Sequence, residues 1–367
     1  MLKNLLVHVP SERLIRPVVD AATSLAVSCA AHLDAVSIGY ETTNIGLAVE
    51  GGAAVAAVFE IEQERALARA NAALAVFETE ARNAGITYKL QALTSAPVEA
   101  AASVSASARL HDLTVVLQPE PERDTFDNTI PQEILFQSGG PVLFIPYTHK
   151  GPFVSKCIGI AWDGNRLAAR ALRDAAPFLT RAQAITIISI NEAEVPPEAS
   201  ATAVSAHLAR HGLTARIERM SANRADIQPA ILSIAADNGL DLIVMGGYGH
   251  LRLQERILGG VTRGMLQSMT VPTLMSHDSR TLGESGGWKS NLLAPLLCAG
   301  LRGRASSCRS VASAARAIAT GASAFTTLRP SGHLITNAWT IGQFGIATIS
   351  IADGPPCRMR IEPRSWR

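Results

Sequence analysis

The sequence predicts an α/β protein made of two repeated open parallel-sheet domains, each with helices on both faces, followed by an irregular basic C-terminal tail. Three observations carry that expectation. Short apolar runs such as Leu242–Met245 read as strands buried on both faces of a parallel sheet. Stretches with apolar residues at helical spacing separate these runs, and strand–helix alternation of this kind implies right-handed crossovers within a parallel sheet. The same order of elements then begins again after residue 152.

In the first repeat, Leu5–Val9 reads as a strand, followed by a helix over Ser11–His32 and a strand at Ala35–Ile38. Ala53–Asn83 is alanine-rich, with Val58, Ile61, Leu67, Ala70, Leu74 and Phe77 at helical spacing and Gly85 as its stop, so it reads as one long helix, whole or broken. Tyr88–Leu93 is a strand, Val98–Leu110 a helix and Leu113–Leu117 a strand. Gln132–Phe136 is part of a helix and Val142–Ile145 the last strand.

The second repeat runs in the same order: Ile158–Ala161, Leu167–Leu179, Ile185–Ile190, Ala199–Arg210, Ala215–Glu218, Ile227–Asp237, Leu242–Met245, Val261–Ser268 and Thr273–Met275. Local matches support a duplication. Ala84-Gly85-Ile86-Thr87 answers His211-Gly212-Leu213-Thr214, His111-Asp112-Leu113 answers Leu240-Asp241-Leu242, and Gly140-Pro141-Val142-Leu143 answers Val271-Pro272-Thr273-Leu274. The expected domains are 1–148 and 153–278, joined by His149–Pro152, with the tail at 279–367.

One stretch carries chemistry. Gly246, Gly249 and Gly259 follow the strand Leu242–Met245 with the spacing G-x2-G-x9-G, and glycines let backbone N–H groups approach a ligand closely. Val261-Thr262-Arg263-Gly264-Met265-Leu266 then opens a helix, whose first amides lack internal partners and whose dipole favours an anion. This segment resembles the nucleotide-binding signature of the universal stress proteins, in which G-x2-G-x9-G is followed by Ser or Thr. The three glycines, Val261, Thr262 and the closing Val271-Pro272-Thr273-Leu274 match in order. Position 260 departs from the pattern, since Gly260 stands where the family's nucleotide binders carry a hydroxyl, a loss of one hydrogen bond worth about 0.5–1.5 kcal/mol.

The resemblance covers residues 1 to 277 as a tandem pair and implies a Rossmann-like, adenine nucleotide alpha-hydrolase-like fold in which the two last strands pair as an internal pseudo-dimer. It implies adenine recognition by Asp163 and packing of adenine on Ile190. Met245 and Gly246 would border the ribose, and Gly249, His250, Gly259, Gly260, Val261 and Thr262 the phosphates. His250, Arg252, Arg256 and Arg263 add positive groups nearby, Arg252 and Arg256 reading equally as solvated surface charge. Read without the resemblance, Asp163 is a cap or turn residue ahead of Asn165–Ala171, and Ile190 is core. The first repeat has Pro10 in the place of Asp163, and Leu117-Gln118-Pro119-Glu120-Pro121 against Met245-Gly246-Gly247-Tyr248-Gly249, so one nucleotide site per chain is expected.

The function this implies is a cytoplasmic stress-response protein with ATP, bound with or without Mg2+, as regulatory ligand of the second domain, and at most slow hydrolysis. Two alternatives stand beside it: a stress protein that acts through protein partners or as a homodimer without nucleotide, and an adenine-nucleotide hydrolase of the same fold class. No G-x-S-x-G elbow, paired carboxylates or Cys with a motif-linked His specifies catalytic machinery. Ser285-Gly286-Gly287-Trp288-Lys289-Ser290 is not a phosphate loop, because Trp288 stands where glycine must precede lysine. His207 and His211 share a helix face without a third ligand and read as a helix end before Gly212 rather than a metal site.

Composition narrows the partners. Residues 1 to 279 carry 22 Lys+Arg against 28 Asp+Glu, whereas 280 to 367 carry 11 against 3. An acidic body gives no footprint for specific nucleic-acid binding, and the basic tail lacks interleaved aromatics. Five scattered cysteines without a C-x-x-C pair fit a reducing cytoplasm, and no apolar run reaches membrane-spanning length. The tail is rich in Arg, Ser, Gly and Ala and reads as largely disordered or weakly structured, with Leu334–Ile351 able to form short strands.

Overall fold

The computed structural model describes residues 1–41, 52–247 and 260–277, and the backbone of four strands within 323–363. The chain divides into two compact units, Met1–Thr281 and Leu282–Arg367.

In the first unit, the first repeat comprises β1 (Asn4–His8), α1 (Arg16–Cys29), β2 (His32–Tyr40), α2 (Gly52–Asn83), β3 (Tyr88–Ser95), α3 (Pro97–Ala108), β4 (Leu113–Leu117), α4 (Ile130–Gln137) and β5 (Val142–Ile145). The second comprises β6 (Cys157–Ala161), α5 (Arg166–Asp174), β7 (Ala184–Ile190), α6 (Ala201–Arg210), β8 (Ala215–Met220), α7 (Ile227–Asp237), β9 (Leu242–Gly246), α8 (Val261–Ser268) and β10 (Thr273–Ser276). A short helical turn at Ala176–Leu179 follows α5. The long alanine-rich helix is unbroken across its 32 residues.

The ten strands form one sheet in the order β3-β2-β1-β4-β5-β10-β9-β6-β7-β8. Within each repeat the neighbouring strands are parallel. The single antiparallel pair is β5 with β10, where Val142, Leu143 and Phe144 face Met275, Leu274 and Thr273. The duplicated sheets thus join edge to edge through their last strands, which removes one exposed edge from each.

Equivalent carboxylates brace both repeats. Asp112 accepts from the backbone N–H groups of Lys3 and Asn4 at 2.6 and 2.9 Å, and Asp241 accepts from those of Lys156 and Cys157, both at 2.9 Å. Each carboxylate precedes the fourth strand of its repeat and satisfies the amides that lead into the first.

Apolar residues cover both faces. One cluster gathers α1, α2, α5 and α6 over Leu5, Val7, Ile158, Ile160 and Val244. The other gathers α3, α4, α7 and α8 over Leu6, Val116, Ile243 and Met275. Strands sandwiched in this way need apolar residues at consecutive positions, which is why β4 and β9 carry no alternation.

The second unit contains β11 (Ser323–Leu328), β12 (Leu334–Gly342), β13 (Gly345–Ile351) and β14 (Ile361–Pro363), paired antiparallel in sequence order. Composition predicts an irregular tail, yet β-branched residues flank the Gly342 and Gly345 positions that close the β12–β13 hairpin.

Candidate functional site at the carboxyl ends of β6, β7 and β9

Strands β6 and β9 are neighbours although β7 and β8 intervene in sequence, so the chain reverses direction across the sheet between them. Ligands of open α/β sheets bind at such a switch point, outside the carboxyl ends of the strands. Asp163 lies two residues beyond β6, Met245 pairs with Ala161, and Gly246 ends β9. Ile190 ends β7 on the other side of β6. The structure therefore brings Asp163, Ile190, Met245 and Gly246 to one edge of the sheet. Gly260 is the N-cap of α8, and Val261 and Thr262 open that helix. Gly249, His250 and Gly259, with Arg252 and Arg256, lie outside the described residues.

The turn after β6 is built from side-chain hydrogen bonds. Asn165 is the N-cap of α5, its Oδ1 accepting from the backbone N–H groups of Leu167 and Ala168 at 2.8 and 3.1 Å. Exposed Asp163 accepts in turn from the Asn165 backbone N–H at 3.1 Å and from its Nδ2. The cap is thus Asn165, and Asp163 fixes the cap from outside.

Gly246 has a packing role. A Cβ there would stand 2.8 Å from the Ala168 nitrogen and from the Leu167 carbonyl carbon, closer than side chains tolerate. The glycine lets α5 lie directly on the end of β9.

Sequence reasoning missed Asn191. It follows Ile190 with φ +60°, and its side-chain amide both donates to the Ala222 carbonyl at 2.9 Å and accepts from the Ala222 N–H at 3.0 Å. Together with Met220, Asn223, Asp226 and Ser233 it lines a cavity of about 680 Å³ beside the strand ends. The available signal was an Asn directly after a strand, since Asn tolerates the left-handed region.

The equivalent strand ends of the first repeat carry different residues. Val9 donates to the Val36 carbonyl as Trp162 does to that of Ile188, which sets Pro10 opposite Asp163. Leu117 pairs with Ile145 as Gly246 pairs with Ser276, so Leu117, and not Gln118, stands in the place of Gly246. This corrects the alignment of Leu117 with Met245 by one position and agrees with the match of Asp112 to Asp241. Asp127, from the loop between β4 and α4, is buried, accepting from the Tyr40 hydroxyl at 2.8 Å and from the Glu12 N–H at 2.9 Å. His8 lies 3.7 Å from it, and Arg13 approaches Glu120 at 3.5 Å. Burial drives the His8 pKa down to about 3, aided by the Arg13 charge, so the His8–Asp127 contact is not an ion pair. Burial pushes the Asp127 carboxyl up, opposed by its hydrogen bonds. Among the described residues, a buried carboxylate of the chain itself thus lies at the ends of β1 and β2.

Residues 155–277 match the model of the universal stress protein family. A universal stress protein of Synechocystis sp. is 26% identical over 117 residues, covering 31% of this chain and 40% of that protein. One of Methanocaldococcus jannaschii is 40% identical over 45 residues, covering 12% of this chain and 28% of that protein. The chain thus spans less than half the length of these curated relatives. Among solved structures, a universal stress protein from Archaeoglobus fulgidus aligns with TM-score 0.57 and 14% identity over 74% of this chain and 98% of its own. A functionally unknown protein from Pseudomonas aeruginosa aligns with TM-score 0.51 and 17% identity over 76% and 94%. The class is a mostly parallel α/β fold with its candidate site at a strand switch point. Residues 155–277 are thus similar to the universal stress proteins, and the solved structures share the fold.

Proposed function

We propose that the chain binds ATP, with or without Mg2+, in its second repeat as a regulatory ligand in a cytoplasmic stress response. The observation that carries this reading is the convergence of Asp163, Ile190, Met245 and Gly246 at the β6–β9 switch point, with the Gly260–Thr262 helix start following the glycine segment. These residues fit a nucleotide. Asp163 is exposed on a braced turn and supplies an acceptor for an adenine amino group, while half-buried Ile190 supplies apolar surface and buried Met245 underlies the strand end. The first amides of α8 suit an anion. Residues 155–277 also match the universal stress protein family model.

Calorimetric titration of MgATP into the full chain tests the reading. One site per chain is expected, with Asp163→Ala weakening binding roughly tenfold or more and Thr262→Ala severalfold, in keeping with charged and neutral hydrogen bonds. Absence of heat and of any thermal shift at millimolar ATP would sink it.

A second reading, action through protein partners without nucleotide, is favoured by one observation. Packing of α5 alone accounts for the glycine at 246, so that residue does not by itself require a ligand. An adenine-nucleotide hydrolase remains the third reading, and release of phosphate from ATP by the purified chain would favour it.

A further inference from the structure

The second repeat carries a groove between two helices whose counterparts in the first are bridged by an ion pair. In the first repeat the seam between α1 and α2 is bridged by Arg16 Nη1 and Glu80 Oε1 at 2.7 Å. The corresponding helices of the second repeat are α5 and α6, and α6 has only 10 residues against 32 for α2. Between them lies a groove of about 380 Å³.

Its lining divides by chemistry. Trp162, Leu172 and Val204, exposed by 7%, 8% and 5%, form an apolar base. The Trp162 Nε1–H donates to the Ala199 carbonyl at 2.7 Å, so its polar group is already satisfied. Arg166 and Arg173 of α5 and His207 of α6 stand at the rim, with Glu198 the one opposing charge. Neither Arg166 nor Arg173 has a hydrogen bond or ion pair among the described residues, whereas Arg170 on the same helix pairs with Asp174.

We propose that this groove binds a small amphipathic organic anion: an aryl or medium-chain alkyl body bearing one carboxylate or sulfonate. The body would displace water from the apolar base, and the head would meet the two unpaired guanidiniums, which match carboxylate geometry well. The volume lies within the roughly 300–1,000 Å³ of small-molecule sites. The groove takes Gly164 and Asn165 from the turn that carries Asp163, but none of the glycine segment, so the inference does not rest on nucleotide binding.

The test is titration of the full chain with anilinonaphthalene sulfonate, read by probe emission and by energy transfer from tryptophan, with octanoate and octanol as competitors. One saturable site is expected, with transfer reduced in Trp162→Phe. Octanoate should displace the probe at a concentration about tenfold or more below octanol, because only the anion engages the arginines. The double variant Arg166→Ala, Arg173→Ala should weaken the probe about tenfold with an unchanged melting temperature, the paired Lys variant should retain part of the affinity, and Ala203→Trp should block the groove. MgATP should not compete. Equal displacement by octanol, native affinity in the double Ala variant, competition by MgATP, or no saturable binding would each overturn the proposal.

Discussion

The side-chain amide of Gln118 donates to the Leu266 carbonyl at 2.9 Å across the junction of the two repeats. Its register mate is Gly247: each follows the fourth strand and donates its backbone N–H to the end of the fifth. Gly247 leaves room for Leu135, whose Cδ2 would stand 3.0 Å from a Cβ there. Leu135 and Leu266 are themselves equivalent, each the sixth residue of its helix. One side of the pseudo-twofold therefore closes by apolar contact and the other by a buried hydrogen bond.

That asymmetry yields a stability prediction. Leu266 lies in the last turn of α8, where helix carbonyls lack internal donors. Gln118→Leu should leave the carbonyl unpaired and cost about 1–3 kcal/mol in urea denaturation. Native stability in the variant would mean that the bond contributes nothing net.

Gly246→Ala should destabilise the chain by about 1–3 kcal/mol, since an added Cβ forces α5 away from β9. Loss of ATP binding in a bulkier variant at this position would accordingly report packing as much as ligand contact. Thr262 and Asp163 are cleaner probes, and unchanged stability in Gly246→Ala would contradict the packing account.

In the first repeat, Asp127→Ala should be more damaging than Asp127→Asn. The Ala variant orphans the Tyr40 hydroxyl and the Glu12 N–H beside buried His8 and Arg13, at about 1–3 kcal/mol for each buried group left unpaired. The Asn variant keeps an acceptor. Equal denaturation midpoints for the two variants would refute an acceptor role for the Asp127 side chain.

His8 makes a pH prediction whose sign follows from its depressed pKa. The unfolded chain binds the His8 proton below about 6.5, while the folded chain resists protonation down to about 3. Its contribution is complete above about pH 6.5 and is lost as pH falls toward 3, with a slope of up to ~1.4 kcal/mol per pH unit. Asp127, raised by burial, acts in the opposite sense, lending stability at low pH that fades as pH rises through its raised pKa. Replacing His8 by Gln should flatten the acid limb of the stability curve. An unchanged limb would mean that His8 is not the buried neutral group described.

Much of the architecture was legible because period and punctuation are local. The runs Leu113–Leu117 and Val142–Ile145 mark buried parallel strands with their observed bounds, as the stop at Asp237 marks the end of α7. Asp112 and Asp241 marked the repeat before either was seen to latch a strand. The buried Asp127–Tyr40 contact of the first repeat was not legible, because Asp127 lies 87 positions from Tyr40 and no local pattern ties a loop carboxylate to a distant hydroxyl.

The sequence by itself determined two strand–helix series, their matching order and a glycine segment with the spacing of an anion cradle, all properties of neighbours along the chain. Only the tertiary structure decided that Leu143 faces Leu274 where the two halves meet, that Asn165 and not Asp163 caps α5, and that a groove lies between α5 and α6. Register, capping and helix seams depend on which surfaces meet, and that is set by closing the whole sheet, where a shift of one residue exchanges buried and exposed faces.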